Sequence, residues 1–186
     1  MSRMRGGQSG RAGRGDRGFS LIELLIVVAI ILIIAGIAIP NLIRSKMAAN
    51  EASAVESIHA ILVASSVYYT TYNNGYPPNI GVLGPTTLAS CNLAGLIDPL
   101  LANAPGQKSG YTIAYQGDNG TVNAPTGCGQ AGYEGFVATA VPITVGVTGG
   151  RSFCSSEDGV LHVDVTGNAI ASSAACTALP VLADGD

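Results

Sequence analysis

Residues 18–40 of the chain read GFSLIELLIVVAIILIIAGIAIP, an apolar run in which Glu23 is the one charged residue. Twelve Leu, Ile or Val residues lie between Leu24 and Ile39. As a helix, residues 19–39 would rise about 31 Å, which matches a hydrocarbon core of ~30 Å. The twelve aliphatic residues favour membrane insertion by roughly 4–7 kcal/mol. This is more than the free-energy cost of inserting Glu23, which lies near one end of the run. The run therefore predicts a membrane-inserted helix over residues 19–43.

Basic residues precede this run and acidic residues follow it. Residues 1–18 carry five arginines and one aspartate, a charge of +4, whereas residues 19–186 carry four bases and 11 acids, a charge of −7. Because positive charge beside a membrane span stays in the cytoplasm, we expect a cytoplasmic N-terminus and an exported body. The alternative, a nucleic-acid-binding arm, lacks aromatic residues among its arginines. We therefore interpret residues 1–18 as a leader and expect no specific nucleic-acid partner.

A helical pattern continues beyond the apolar run. Apolar residues recur every three or four positions over residues 44–73, which predicts an amphipathic continuation of the same helix. Asn73, Asn74 and Gly75 form a stop pattern at its end. Pro40 removes a backbone hydrogen bond inside this rod, and Gly36 weakens the same turn. We therefore expect a kink or local unwinding between Gly36 and Pro40.

Residues 74–186 are rich in Gly, Pro, Thr and Asn and read as a head domain. Short helices are predicted around residues 87–89 and 96–102. Strands are predicted at 111–116, 133–141, 151–156 and 160–165, the last two joined through Asp158-Gly159. An antiparallel sheet of about four strands laid on the second half of the long helix would bury both apolar faces. The predicted fold class is therefore α+β.

The glycine in Gly18-Phe19-Ser20-Leu21-Ile22-Glu23 stands before the apolar run, whereas an ordinary secretory signal peptide is cleaved after its run. This order resembles the class III signal peptide of type IV pilins and of the related pseudopilins. The resemblance implies that a prepilin peptidase cleaves after Gly18 and that the new N-terminus at Phe19 is methylated. It also implies that Glu23 acts in filament assembly.

The chemistry of Glu23 supports that role independently. A lone carboxylate in hydrocarbon is costly unless it is neutralised or paired, and cleavage would create an amine at Phe19, one helical turn away. Breaking a buried ion pair costs about 3–5 kcal/mol, so helices packed out of register would be disfavoured. The alternative is an acid that reaches the membrane interface and has no part in assembly.

Four cysteines allow three pairings, and an exported body favours disulfides. We expect the bonds Cys91–Cys128 and Cys154–Cys176, the second because it resembles the disulfide-bounded C-terminal loop of many pilins. Free buried thiols are the alternative.

The resemblance implies a structural subunit of a type IV pilus, an inner-membrane precursor that becomes part of an extracellular filament for adhesion, twitching motility or DNA uptake. Its partners would be identical subunits, the prepilin peptidase, the assembly machinery of the inner membrane and, before assembly, membrane lipid. We predict no catalytic set, cofactor or metal site, and interpret Glu157-Asp158 as a turn. The alternatives are a major pseudopilin of a type II secretion system and a single-span anchored binding domain or enzyme.

Overall fold

A computed structural model describes residues 18–103 and 105–183 of the chain. The chain divides at Pro40 into two compact units, which we call the N-terminal unit (Met1–Pro40) and the C-terminal unit (Asn41–Asp186). The predicted leader, residues 1–18, lies outside the described residues except for Gly18. The α-helices and strands in chain order are α1 Leu21–Tyr72, α2 Pro99–Ala102, β1 Gly106–Lys108, β2 Tyr111–Thr121, β3 Tyr133–Pro142, β4 Ser152–Ser156, β5 Leu161–Asp164 and α3 Ser173–Thr177, and a short 3-10 helix, Ile80–Leu83, lies between α1 and α2.

Helix α1 is 52 residues long and ends where the stop pattern predicts. Asn73 follows its last residue with a φ of +48°, and Gly75 has a φ of +72°. These left-handed conformations, which Asn and Gly adopt more readily than other residues, turn the chain away from the helix axis.

The five strands form one antiparallel sheet in the order β1-β2-β3-β4-β5. The sequence predicts four of these strands, and the turn Asp158-Gly159 joins β4 to β5 as expected. Strand β1 was missed because Gly106, Gln107 and Lys108 show no apolar alternation. It forms by pairing with the first residues of β2, a contact that local sequence does not encode.

One face of this sheet packs on α1 in the C-terminal unit. The strand registers place Ile113, Ala140, Phe153 and Val163 side by side in a row across β2 to β5. All four are buried, and they share a core with Ile58 and other apolar residues of α1. The α+β fold expected from the sequence, a long helix packed on an antiparallel sheet, is confirmed.

The helices predicted between α1 and β1 need correction. Residues 87–89 form no helix, and the segment predicted at 96–102 becomes helical only at Pro99. The residue before a proline is disfavoured in the helical conformation, so Asp98 remains extended. Its side chain instead caps the helix by accepting bonds from the Leu100 and Leu101 amides.

Candidate functional site

The first turn of α1 holds the acid singled out by the sequence. The Ser20 carbonyl accepts the first helical hydrogen bond from the Leu24 amide at 3.2 Å. The Glu23 carboxylate reaches back and accepts the Ser20 amide proton at 3.0 Å. This bond satisfies one of the amides that a helix start leaves unpaired, and it places negative charge at the positive end of the helix dipole.

The contact between Glu23 and Ser20 was not expected, although the sequence contains a pattern for it. Ser20 followed three residues later by Glu23, before an apolar run, is a capping-box signature. Glu23 thus has a partner in its own first turn. The Phe19 amine that cleavage would free lies one residue before the amide that Glu23 already binds.

The apolar residues that follow Glu23 lie uncovered. Helix α1 is long and apolar enough to cross a membrane, and none of its most apolar window is buried. Apart from Glu23, residues 19–43 carry no charged side chain. Exposed aliphatic side chains in this number require a lipid or protein environment.

Gly36 and Pro40 lie within a helix that has no break. Residues 36–40 are helical, so the structure assigns no unwound segment there. A bend at Pro40 remains a prediction.

Both expected cysteine pairs are present, with Cys91 bonded to Cys128 and Cys154 bonded to Cys176. The first bond ties the connection between α1 and α2 to the connection between β2 and β3. The second ties β4 to α3, which brings the C-terminal segment onto the sheet face opposite α1.

A row of buried side chains lies on the sheet face opposite α1, where the C-terminal segment packs. Registers align Thr139, Cys154 and His162 across β3 to β5, and all three are buried. One ring nitrogen of His162 lies 2.9 Å from the Leu179 carbonyl oxygen, and the other lies 2.7 Å from the Asp158 carboxylate. The C-terminal segment also pairs with β5: the Val163 amide donates to the Pro180 carbonyl at 2.9 Å, and the Leu182 amide donates to the Leu161 carbonyl at 2.8 Å.

Asp158 is a structural acid at the turn between β4 and β5. Burial raises the pKa of this carboxyl, but bonds from the Val160 amide, the His162 ring and the Ser156 hydroxyl outweigh it and lower the pKa below its ordinary value. The neighbouring Glu157 accepts bonds from Asn119 and from the Phe136 amide. In residues 18–103 and 105–183, no group of three or more His, Cys, Asp or Glu side chains is placed to hold a metal ion.

Comparison with known proteins identifies the N-terminal segment. Residues 13–39 match the family model described as the prokaryotic N-terminal methylation motif. Searches of curated proteins and of solved structures gave no match. The matched residues include Gly18, Phe19 and Glu23, and the long helix on an antiparallel sheet fits the fold of the proteins that carry this motif. The chain therefore carries the N-terminal methylation motif, the class III signal peptide of type IV pilins, at the start of a long helix that packs on an antiparallel sheet as in the pilin fold.

Proposed function

We propose that this chain is the precursor of the structural subunit of a type IV pilus. In this proposal it sits in the inner membrane as a single-pass protein with residues 1–18 in the cytoplasm. A prepilin peptidase cleaves after Gly18, and Phe19 is methylated. Identical subunits then pack through residues 19–43 into an extracellular filament, driven by assembly proteins of the inner membrane.

The observation that carries the proposal is the position of Glu23 at the start of an uncovered apolar helix. Its carboxylate accepts a hydrogen bond from the Ser20 amide. The residue before Ser20 is Phe19, whose backbone nitrogen would become a free amine on cleavage. In a bundle of such helices, the acid and the amine of the same or a neighbouring chain would neutralise each other. Since an unpaired charge in an apolar interior is strongly disfavoured, this pair would fix the stagger between subunits.

The experiment compares two acids of the same helix. Glu23→Gln keeps size and polarity but removes the charge, and we expect inserted, cleaved protein that forms few or no filaments in electron micrographs. Glu56→Gln is the matched control, because Glu56 is exposed on α1 in the C-terminal unit, and it should leave filaments normal. Abundant filaments from Glu23→Gln would contradict the proposal.

A pseudopilin of a type II secretion system is the second candidate, because the methylation motif fits that class equally well. Such a protein would form a short periplasmic assembly and no surface fibre. Shearing whole cells separates the candidates: this chain recovered as filaments in the sheared fraction supports a pilus, and its retention in the cell envelope supports a pseudopilin.

A further inference from the structure

His162, on β5 of the C-terminal unit, is a buried histidine whose two ring nitrogens both face hydrogen-bond acceptors. Only 5% of the residue is exposed. Its Nδ1 lies 2.9 Å from the Leu179 carbonyl oxygen, and its Nε2 lies 2.7 Å from a carboxylate oxygen of Asp158. A neutral imidazole carries one ring proton and can donate only one hydrogen bond. Both contacts are therefore hydrogen bonds only when the ring is doubly protonated and carries a positive charge.

Asp158 supplies the negative charge that such a ring requires. Burial raises the pKa of this carboxyl, but the hydrogen bonds it accepts from the Val160 amide and from neighbouring side chains lower the pKa below its ordinary value. Asp158 is thus a carboxylate throughout the range in which an imidazole ordinarily titrates, between about pH 5 and pH 8. Its contact with His162 is an ion pair whenever the ring is charged.

The other elements packed around His162 add no charge that faces the ring. Its neighbour on β4 is Cys154, which is bonded to Cys176. Residues 165–183, which include α3 and the segment over His162, carry no charged side chain. The nearby acids are engaged elsewhere: Glu157 binds Asn119 and the Phe136 amide, and Asp164 binds Thr166 and the Asn168 amide.

The bond to Leu179 joins His162 to residues 177–183, which we call the tail segment. The tail segment is held on β5 by two backbone hydrogen bonds, from the Val163 amide to the Pro180 carbonyl and from the Leu182 amide to the Leu161 carbonyl. Thr177, Ala178, Pro180 and Val181 are exposed. Because a segment with few buried contacts has low local stability, one further bond from a charged group is a large part of what holds it.

We propose that His162 is a pH-dependent switch that holds the tail segment on β5 when its ring is charged and loosens it when the ring is neutral. A neutral ring keeps its proton toward Asp158, because a hydrogen bond to a charged acceptor is the stronger of the two. The Leu179 carbonyl oxygen then faces the lone pair of Nδ1, and two acceptors repel each other.

The sign and the extent of the effect follow from this geometry. The stabilising contact is present while the ring is charged and is lost as pH rises through the range in which an imidazole titrates. The Cys154–Cys176 bond fixes the start of the tail segment to β4 at every pH. Loosening should therefore be confined to the residues that follow Cys176. The inference concerns the C-terminal unit alone and does not depend on which filament, if any, the chain forms.

The test measures amide hydrogen exchange by NMR on the full-length chain in detergent micelles, at about pH 5.5 and about pH 8. The Val163 and Leu182 amides report on the tail segment, because each bonds across to it or from it. The chain has two histidines. His162→Gln removes the charge of the switch, and His59→Gln is the matched control, because His59 is exposed on α1.

After correction for the intrinsic pH dependence of exchange, we expect the two reporter amides to be about 10- to 100-fold less protected at the higher pH, the size expected for one hydrogen bond to a charged group. Amides that join β2 to β3 should keep their protection. The loss should persist in His59→Gln and be absent in His162→Gln. Equal protection at both pH values would overturn the inference, as would the same pH dependence in His162→Gln.

Ring-nitrogen NMR of the unsubstituted chain provides a test that does not require His162→Gln to fold. At about pH 5.5, both ring nitrogens of His162 should carry a proton, with the exposed His59 as the comparison in the same sample. At the higher pH, Nδ1 of His162 should have lost its proton and Nε2 should have kept it. A ring with one unprotonated nitrogen at the lower pH, or with two protons at the higher pH, would contradict the switch.

Discussion

At the scale of single residues, the three glutamates of α1 have different surroundings and therefore different roles. Glu23 binds the first turn of its own helix, Glu51 binds the β3–β4 connection, and Glu56 is exposed. Charge alone does not distinguish them, so each must be tested by its contacts.

Glu51→Gln should destabilise the C-terminal unit. Glu51 accepts a hydrogen bond from the Gly150 amide. It also accepts one from the Arg151 side chain at 3.0 Å and forms an ion pair with the same side chain at 3.0 Å. Hydrogen bonds to charged groups are worth roughly 1.5–3 kcal/mol, so the free energy of unfolding in urea should fall by about that amount. Glu56→Gln, the control, should change it by less than about 0.5 kcal/mol. Equal stability of the two variants would show that the Glu51 pair contributes nothing.

Lowering the pH should reduce the free energy of unfolding through protonation of Asp158. Its pKa is lowered in the folded protein, so its contribution is present above the unfolded value of about 3.9 and is lost as pH falls through the folded value. Asp118 and Asp164, whose pKa values hydrogen bonds also lower, act in the same direction. We expect the unfolding free energy to fall below about pH 4.

Asp158→Asn checks the source of that acid sensitivity. The variant should be less stable than the parent at neutral pH and should lose less stability between pH 5 and pH 3. A pH profile parallel to that of the parent would assign the effect to other acids.

At the scale of elements, the local spacing of apolar residues was sufficient to predict those helices and strands whose own residues show a regular pattern. The span, the end of α1 near Asn73 and strands β2 to β5 follow from apolar spacing and turn residues. Strand β1 and the start of α2 depend on a neighbouring strand and on the cap from Asp98, which spacing does not reveal. The burial of His162 could not be foreseen from the sequence, because the Leu179 carbonyl that covers it belongs to a distant segment.

Removing the second disulfide should loosen that cover first. Cys154 and Cys176 are 22 residues apart, and closing such a loop contributes about 3 kcal/mol in the chain-entropy model. In Cys154→Ser/Cys176→Ser, amide hydrogen exchange should accelerate mainly in residues 172–182 and at His162. The matched control, Cys91→Ser/Cys128→Ser, should accelerate exchange mainly in the connections that hold those two cysteines. Identical exchange patterns in the two variants would contradict a local role for each bond.

At the scale of the whole molecule, different parts of the chain carry different features. The first 40 residues carry the methylation motif and an apolar span with one acid, and the remainder carries the folded sheet and both disulfides. The motif and its key residues could be identified from the sequence because they are contiguous. The cap that Glu23 gives to Ser20 required the structure, since it depends on where the Glu23 side chain lies.

Intact-mass measurement of the material sheared from the cell surface tests the central claim most directly. The account predicts a chain that begins at Phe19, carries one added methyl group on its N-terminus and is lighter by two hydrogens for each of its two disulfides. A surface protein that still begins at Met1 would contradict it, because no free amine would then exist at Phe19 to meet Glu23.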